Sequence, residues 1–360
     1  MIRIATLSML VLGLAAATAT ASPGKLQQAL DRAVAAGVPG AIVLVRDGDR
    51  TTRVTSGYGN VATKTPIRAT DRFRVGSLTK TFVSTVVLQL VGEGKLSLDD
   101  SIEHWLPGLV PNGRNISVRR LLNMTSGLYE YSDDRDGTLL RRFQAGNVTY
   151  RYTPRELVGI ATAHKPYFAP GKGWKYCNTC YILVGLVVEK ASGHSIASEI
   201  RSRILAPLRL RSTSFDTEPQ IAGRHSHGYL RAGGKLTDVS FLSPSWAWAA
   251  GAMVSTVDDI QRFYSALNGG RLLRPDLLQA MRTTATSGYG LGIARVRPPC
   301  GVQWGNSGDF IGYNAKAYGP PDASVQYVAF VNLDEASMTP RIRRALDRVD
   351  GLALCGRSGR

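Results

Sequence analysis

No histidine in this sequence stands in a motif typical of catalysis or metal binding. The chain has five histidines, His104, His164, His194, His225 and His227. The nucleophile motif G-x-S-x-G is absent, and "GHSIA" from Gly193 differs from it at the last position. The zinc motif H-E-x-x-H is absent as well. These absences argue against a histidine-based esterase and against a zinc hydrolase of that type.

Cysteine is also scarce, with four residues in two sets. Cys177 and Cys180 form a lone C-x-x-C without two further ligands at suitable spacing, which argues against a zinc site. A local disulfide and two free thiols both remain open for this pair. Cys300 and Cys355 lie far apart in the sequence, and in an oxidising compartment we expect them to pair and tie the C-terminus to the body.

The sequence has no apolar run long enough to span a bilayer. Its most apolar segment, residues 1–21, has Arg3 before an apolar stretch and ends in the small residues Ala19-Thr20-Ala21. That pattern predicts a secretory signal peptide, and the run is too short for a membrane anchor. We therefore expect an exported, soluble mature chain that begins near Ser22.

Acidic residues are few for the number of basic ones, 27 against 44, which gives a net charge of +17. The basic residues are scattered along the chain, and an exported protein rarely meets nucleic acid, so we expect no nucleic-acid partner. Attraction to an anionic cell envelope would explain the charge. An arginine-rich proteome would explain it equally well.

Hydrophobic periodicity predicts strands at both ends of the chain and helices between them. "GAIVLVRD" from Gly40, "TRVTSGYG" from Thr52 and the segments from Tyr289 to Leu333 have strand patterns. We predict an α+β fold: one antiparallel sheet built from both ends, flanked by terminal helices, with an inserted all-α lobe. The predicted boundaries are 1–21 for the signal peptide and 22–355 for one catalytic domain. Its sheet lobe would cover about 25–95 and 250–355, its helical lobe about 96–250, and a tail 356–360.

Ser77 and Lys80 form the strongest candidate for chemistry. They lie three residues apart at the start of an apolar helix in "FRVGSLTKTF", so both side chains share one helix face. Burial disfavours a charged amine, and Lys80 could therefore act as a base for the Ser77 hydroxyl. An S-x-x-K pair is a common accident on solvated helices, but this helix is almost wholly apolar.

Further segments occur in a fixed order after this pair. They are "NMTSGLYEY", "FAPGKGWKYCNTCYILVG", "PSWAWAAGAMVST", "YGLG" and "GNSGDFIGY". Together with "RFRVGSLTKTF", they make nearly all of the mature chain similar to the penicillin-recognising serine hydrolases. Within that superfamily the chain most resembles class C-type β-lactamases and secreted actinobacterial D-alanyl-D-alanine carboxypeptidases.

The resemblance implies a role for each matching residue. Ser77 would be the acylated nucleophile, Lys80 its activating partner and Tyr176 a phenol that shuttles protons. Asn178 would hold the substrate carbonyl, and the backbone amides of Ser77 and Asp309 would form an oxyanion hole. Asn306, Ser307 and Gly308 would complete the substrate-binding strand. Trp246 would line the cleft, although a core position would suit a tryptophan nearly as well.

The sequence departs from the family pattern at four positions. The third motif opens with Asn306 in place of lysine or histidine, and an amide carries no charge. Met124 replaces a histidine, and Cys177 replaces a serine. Ala294 occupies the position of an arginine that helps to bind a substrate carboxylate. Arg295 and Arg297 follow it on one strand face, and either could supply the charge; we include Arg295 among the predicted substrate-binding residues.

These observations predict a monomeric enzyme without metal or organic cofactor. Its expected substrate is a peptidoglycan stem peptide ending in D-Ala-D-Ala, and β-lactams are expected to acylate it. An esterase, a D-aminopeptidase or a β-lactamase of the same superfamily is the alternative, because the shared motif does not fix the acyl donor. A degenerate protein that binds wall peptides or β-lactams without turnover is the alternative of another class.

Overall fold

The computed structural model of the chain describes residues 22–133, 145–284 and 287–356, and for Ala232 only the backbone. The predicted signal peptide, residues 1–21, and the tail beyond Gly356 lie outside the described residues.

The chain forms helices and strands in mixed order. The helices are α1 Pro23–Ala35, α2 Thr79–Gly92, α3 Ile102–Trp105, α4 Val118–Leu122, α5 Pro154–Thr162, α6 Asn178–Ser192, α7 Ile196–Ile200, α8 Trp248–Gly251, α9 Val257–Asn268, α10 Pro275–Arg282 and α11 Pro340–Cys355. The strands are β1 Gly40–Asp47, β2 Arg50–Asn60, β3 Thr65–Pro66, β4 Phe73–Arg74, β5 Ser214–Phe215, β6 Tyr229–Ala232, β7 Lys235–Asp238, β8 Met253–Ser255, β9 Ala294–Val296, β10 Gln303–Phe310, β11 Tyr313–Gly319 and β12 Val325–Val331.

Seven strands from both ends of the chain form one antiparallel sheet, in the order β3-β2-β1-β12-β11-β10-β9. The first and last long strands meet at its centre, where Ala41 on β1 lies opposite both Ser56 on β2 and Val331 on β12. This arrangement confirms the predicted α+β fold, in which the two ends of the chain share one sheet.

The central strands β1 and β12 are buried on both faces of the sheet, and their successive side chains point to opposite sides. On β1, Ile42 and Leu44 join the large core beneath the helical lobe. Ala41, Val43 and Val45 join a second core with α1 and α11. Buried strands of this kind read as continuous apolar runs, which explains the pattern of "AIVLV".

The regular elements of the inserted segment between α2 and β8 are mostly helices, as predicted. Its central helix α6 is apolar nearly all round and contacts α2, α4, α5 and α8. The second half of the insertion is not all-α as expected, because residues 214–238 contribute the short strands β5, β6 and β7. Strand β5 pairs with β8, and β8 pairs with β4 directly before Ser77.

The strand predicted from Tyr289 is shorter than its pattern indicated. Gly288 and Gly292 have φ angles of 76° and 77°, which an extended strand does not accommodate. The Leu291 amide also donates to the Met281 carbonyl of α10, at 2.9 Å. Regular pairing with β10 is therefore limited to β9, Ala294–Val296.

No helix in the described part of the chain has the length and apolarity required to cross a membrane.

We expect the substitution Gly185→Ala on α6 to lower the free energy of unfolding by about 1–3 kcal/mol, because an added Cβ overpacks the contact with α8. That Cβ would lie 2.6 Å from Trp248 Cζ3 and 2.7 Å from Ala249 Cβ. The control Gly159→Ala on α5 meets no atom within 4 Å. It should be neutral or up to about 1 kcal/mol stabilising through helix propensity. Urea denaturation measures both, and equal midpoints would contradict the close packing of α6 on α8.

Candidate active site

Ser77 lies in a tight 3₁₀ turn, Gly76–Leu78, that leads directly into α2. The turn touches strand β10 backbone to backbone, and glycine is required on both sides. A Cβ at Gly76, where φ is +52°, would lie 2.9 Å from Asp309 N and 2.5 Å from Asp309 O. A Cβ at Gly308 would lie 3.0 Å from Ser77 N. This close approach brings the backbone amide of Ser77 next to that of Asp309.

Lys80 lies one helical turn after Ser77 and is completely buried. Its Nζ donates to Ser77 Oγ at 2.9 Å, Asn178 Oδ1 at 2.7 Å and the carbonyl of Ala250 at 2.8 Å. Among the described residues, no carboxylate forms a salt bridge with it. Burial lowers the pKa of Lys80 to about 7, and the charge of Glu130 acts in the opposite direction. The three donations belong to the charged form. A substantial fraction of the amine is neutral near pH 7, and in that form it has two N–H donors and a lone pair that can accept the proton of Ser77.

Tyr176 is the second side chain, after Lys80, in hydrogen-bond contact with the Ser77 hydroxyl. Its hydroxyl lies 2.5 Å from Ser77 Oγ. Although 38% of the residue is exposed, its hydroxyl faces Ser77, and desolvation there raises the pKa of Tyr176. The nearby Tyr289 and Asp309 raise that pKa further. The phenol is thus protonated at neutral pH and can pass a proton on, but it is not a resting-state base.

Asn178 is the first residue of α6, and Glu130 fixes its orientation. Asn178 Nδ2 donates to Glu130 Oε1 at 3.1 Å, which leaves Oδ1 to accept from Lys80. The backbone amides of Asn178 and Thr179 donate to Glu130 Oε2. A carboxylate at a helix amino end is a favourable pairing, because unpaired N–H groups point toward it.

Glu130 is the functional candidate that sequence reasoning missed. It is 3% exposed and also accepts from the Ser132 hydroxyl at 2.7 Å. Burial raises the pKa of Glu130, while hydrogen bonds from Ser132 and Asn178 oppose that effect. The residue is visible in "LYEY" as an acidic residue between two tyrosines, but no spacing connects it to Asn178, 48 positions later. Only the tertiary fold brings the two together.

The side chains of the third motif point to both faces of the sheet, because side chains alternate along strand β10. Asn306 is 5% exposed and lies 3.4 Å from Thr81 Oγ1, inside the protein. Ser307 and Asp309 are exposed on the other side of β10. Partial desolvation of the Asp309 carboxyl and the charges of Asp334 and Glu335 raise the pKa of Asp309 to about 7. Where the family has a lysine or histidine, this motif has the uncharged Asn306, and the carboxyl groups of Asp309, Asp334 and Glu335 lie near one another beside it.

Trp246 and Arg295, two further predicted binding residues, are not placed in contact with Ser77. Trp246 is half-buried, with its ring centroid 5.3 Å from that of Phe310. Arg295 lies opposite Trp304 on β10, about 10 Å along the strand from Ser307. Its side chain forms no hydrogen bond or ion pair within the described residues.

Both cysteine pairs are disulfides in the structure. The bond between Cys300 and Cys355 ties the loop after β9 to the end of α11. The bond between Cys177 and Cys180 flanks Asn178, so the local disulfide, one of the two open alternatives, is the state found.

Comparison with known proteins gives the family. The Beta-lactamase family profile matches residues 26–350. A D-stereospecific amidohydrolase from Streptomyces sp. is 38% identical, with a TM-score of 0.82 over 90% of this chain and 98% of its own. The D-amino acid amidase from Ochrobactrum anthropi SV3, complexed with L-phenylalanine amide, is 28% identical, with a TM-score of 0.81 over 91% and 97% of the two chains.

Curated relatives match over a shorter range. Penicillin-binding protein 4* of Bacillus subtilis (strain 168) is 28% identical over 53% of this chain and 42% of its own. Protein flp of Staphylococcus aureus (strain COL) is 26% identical over 63% and 45%. The chain thus spans less than half the length of these relatives. The predicted superfamily is confirmed, whereas the finer resemblance to D-alanyl-D-alanine carboxypeptidases stays a prediction.

The buried charge of Glu130 predicts how activity depends on pH. Catalysis needs neutral Lys80, so kcat/KM for a p-nitrophenyl ester should rise with pH through an apparent pKa near 7. In Glu130→Gln the charge that raises the pKa of Lys80 is removed, and this midpoint should move to lower pH. A pH–rate profile measures the shift.

The control for this experiment is Lys80→Arg, which retains the charge but has no neutral form near pH 7 and should be inactive throughout. A Glu130→Gln enzyme that is slower but has an unmoved midpoint would show that Glu130 acts only on structure.

Proposed function

The chain belongs to the Beta-lactamase family, and on that basis we propose that it is an exported serine hydrolase that cleaves carboxamides of D-amino acids. Ser77 Oγ attacks the amide carbonyl while Lys80 accepts its proton. Tyr176 then delivers a proton to the departing nitrogen, and ammonia or a small amine leaves. Water attacks the acyl-enzyme by the reverse proton path and releases the free D-amino acid.

The backbone amides of Ser77 and Asp309 are proposed as the oxyanion hole. Their support is the close contact between the nucleophile turn and β10, which only Gly76 and Gly308 permit. Such donors need no reorganisation as charge develops on the carbonyl oxygen, and losing one typically costs about 100-fold or more in rate.

The charge around β10 is the observation that favours a neutral amide substrate over one with a free carboxylate. A free substrate carboxylate would need a cation there, but the motif offers the neutral, buried Asn306 and the exposed carboxyl group of Asp309. The neighbouring Asp334 and Glu335 raise the pKa of Asp309, and Glu335 is itself paired with Arg343, with 3.1 Å between Oε1 and Nη1. A neutral carboxamide avoids the repulsion that a carboxylate would meet. Two solved structures that cover 90% and 91% of this chain also bear the names of D-specific amide hydrolases.

A D-alanyl-D-alanine carboxypeptidase is the second candidate, and Arg295 is the observation that favours it. Arg295 on β9 lies opposite Trp304 on β10, so its side chain is on the sheet face that also carries Asn306. Its guanidinium has no partner within the described residues and could turn toward a substrate carboxylate. The carboxyl group of Asp309 would oppose that contact.

A protein that binds without turnover is less well supported. Lys80 and Tyr176 both contact the Ser77 hydroxyl, so the groups that hydrolysis requires are already assembled.

We expect ammonia release from D-alaninamide and D-phenylalaninamide to exceed release from the L-enantiomers and to fall at least 100-fold in Ser77→Ala. Release of D-alanine from diacetyl-L-Lys-D-Ala-D-Ala should be slower than either D-amide reaction. Coupled assays for ammonia and D-alanine give both rates on one preparation. Faster turnover of the tripeptide would establish the carboxypeptidase instead.

The substitution Asp309→Asn tests the repulsion directly. At about pH 8.5, where a carboxyl group with a pKa of about 7 is ionised, we expect about a tenfold gain in the kcat/KM ratio of the tripeptide over the amide, because that opposing charge is removed. The matched change Asp322→Asn, on the exposed turn between β11 and β12, should leave the ratio unaltered. An unchanged ratio in Asp309→Asn would mean that this carboxyl group does not select the substrate.

A further inference from the structure

An open groove of about 820 Å³ lies on the helical lobe, outside the candidate active site. It runs between α7, the π-helical turn Arg201–Leu205 that continues α7, and the edge strand β5. Four arginines line it, and none of its lining residues within the described chain is acidic. They are Arg72, Arg201, Arg209 and Arg211.

Three of these arginines carry charge that nothing in the described structure neutralises. Arg201, Arg209 and Arg211 are exposed, and none forms a side-chain hydrogen bond or an ion pair within the described residues. Elsewhere on the surface, most arginines whose side chains have a partner form an ion pair with a carboxylate, as Arg53 does with Asp258. Three uncompensated guanidinium groups around one groove create a local positive field.

Arg72 contributes a fourth charge from the groove wall. Its guanidinium donates to the carbonyls of Ser212 at 3.1 Å and Ala222 at 2.8 Å, and to the Ser214 hydroxyl at 2.9 Å. All three partners are neutral, so the side chain is held in place but its charge is not cancelled.

The backbone around the groove is irregular at the same residues. The Ala206 amide donates to the Arg201 carbonyl at 2.9 Å, which widens the helix into a π turn, a feature often found at functional sites. Arg209 has a φ of +53°, a left-handed conformation that glycine or asparagine adopts at lower cost. The chain keeps a long cationic side chain at a position where a small residue would be less strained.

We propose that this groove binds a linear polymer of phosphodiesters, the chemistry of anionic cell-wall polymers. Guanidinium groups match phosphate oxygens bidentately, and four along one open groove suit repeated phosphates better than a single anion. The hydroxyl groups of Ser198 and Ser214 lie among them as further donors. The proposal uses the predicted export of the chain and does not depend on the hydrolytic reaction.

A single-stranded nucleic acid is less well matched by the groove. Such ligands stack their bases on aromatic side chains along the path of the strand. The groove offers one aromatic residue, Phe215, which is half-buried, with its ring edge-on to Trp248 at 6.5 Å.

The test is the affinity of the full chain for poly(glycerol phosphate), measured by calorimetry over a range of salt concentrations. The triple variant Arg201→Gln, Arg209→Gln, Arg211→Gln should bind at least tenfold more weakly. The slope of log affinity against log salt concentration should fall by about one for each phosphate that the variant no longer binds.

The control Arg341→Gln, Arg344→Gln, Arg348→Gln removes the same charge from exposed positions of α11 that have no partner in the described residues. It should bind within about twofold of wild type, because its arginines are remote from the groove.

Several outcomes would overturn the proposal. Equal weakening by both triple variants would mean that only net charge matters. Inorganic phosphate that competes as well as the polymer, at equal phosphate concentration, would mean a single-anion site. Tighter binding of a single-stranded DNA of equal length would assign the groove to nucleic acid.

If the groove variant does not fold, Arg211→Gln alone should still weaken binding severalfold, and no effect would count against the groove. Ser77→Ala should bind like wild type.

Discussion

Lys80 is buried, and no carboxylate among the described residues forms a salt bridge with it; the rest of the site depends on this constraint. An amine in this position is held by three neutral acceptors, and desolvation brings its pKa to about 7. A salt bridge would keep the amine charged and unable to activate Ser77. Glu130 is therefore placed one residue further away: it binds Asn178, and its charge reaches Lys80 only through space. In the proposed reaction the lysine thus takes the part that histidine has in other serine hydrolases.

The fold holds this lysine from three directions. The turn that carries Ser77 leads into helix α2, which carries Lys80; the amino end of α6 supplies Asn178, and α8 supplies the carbonyl of Ala250. Strand β10 closes the fourth side, because Gly76 and Gly308 let it approach the nucleophile turn. The sheet comes from both ends of the chain and α6 from the middle, so the site exists only once both lobes have folded together.

Part of this site can be predicted from the residues themselves. Ser77 and Lys80 follow from helical spacing inside an apolar helix, and the sheet follows from strand patterns at both ends. Tyr176 and Asn178 are identified only through family resemblance, because no local periodicity relates them to Ser77. Glu130 escapes prediction, since its role is a tertiary contact. Asn306 is buried, and the alternation of β10 leaves the carboxyl group of Asp309 exposed, so substrate binding by Asn306 stays a prediction.

The most direct test of this account is the protonation of Lys80 itself. The protein can be labelled with ¹³C at lysine Cε and its resonances followed by NMR from pH 5 to pH 11, with Lys80→Ala to assign the signal. The account predicts one buried lysine that titrates near pH 7, well below an ordinary lysine. A Lys80 resonance that titrates near pH 10.5, as exposed lysines do, would contradict the claim that a neutral amine activates Ser77.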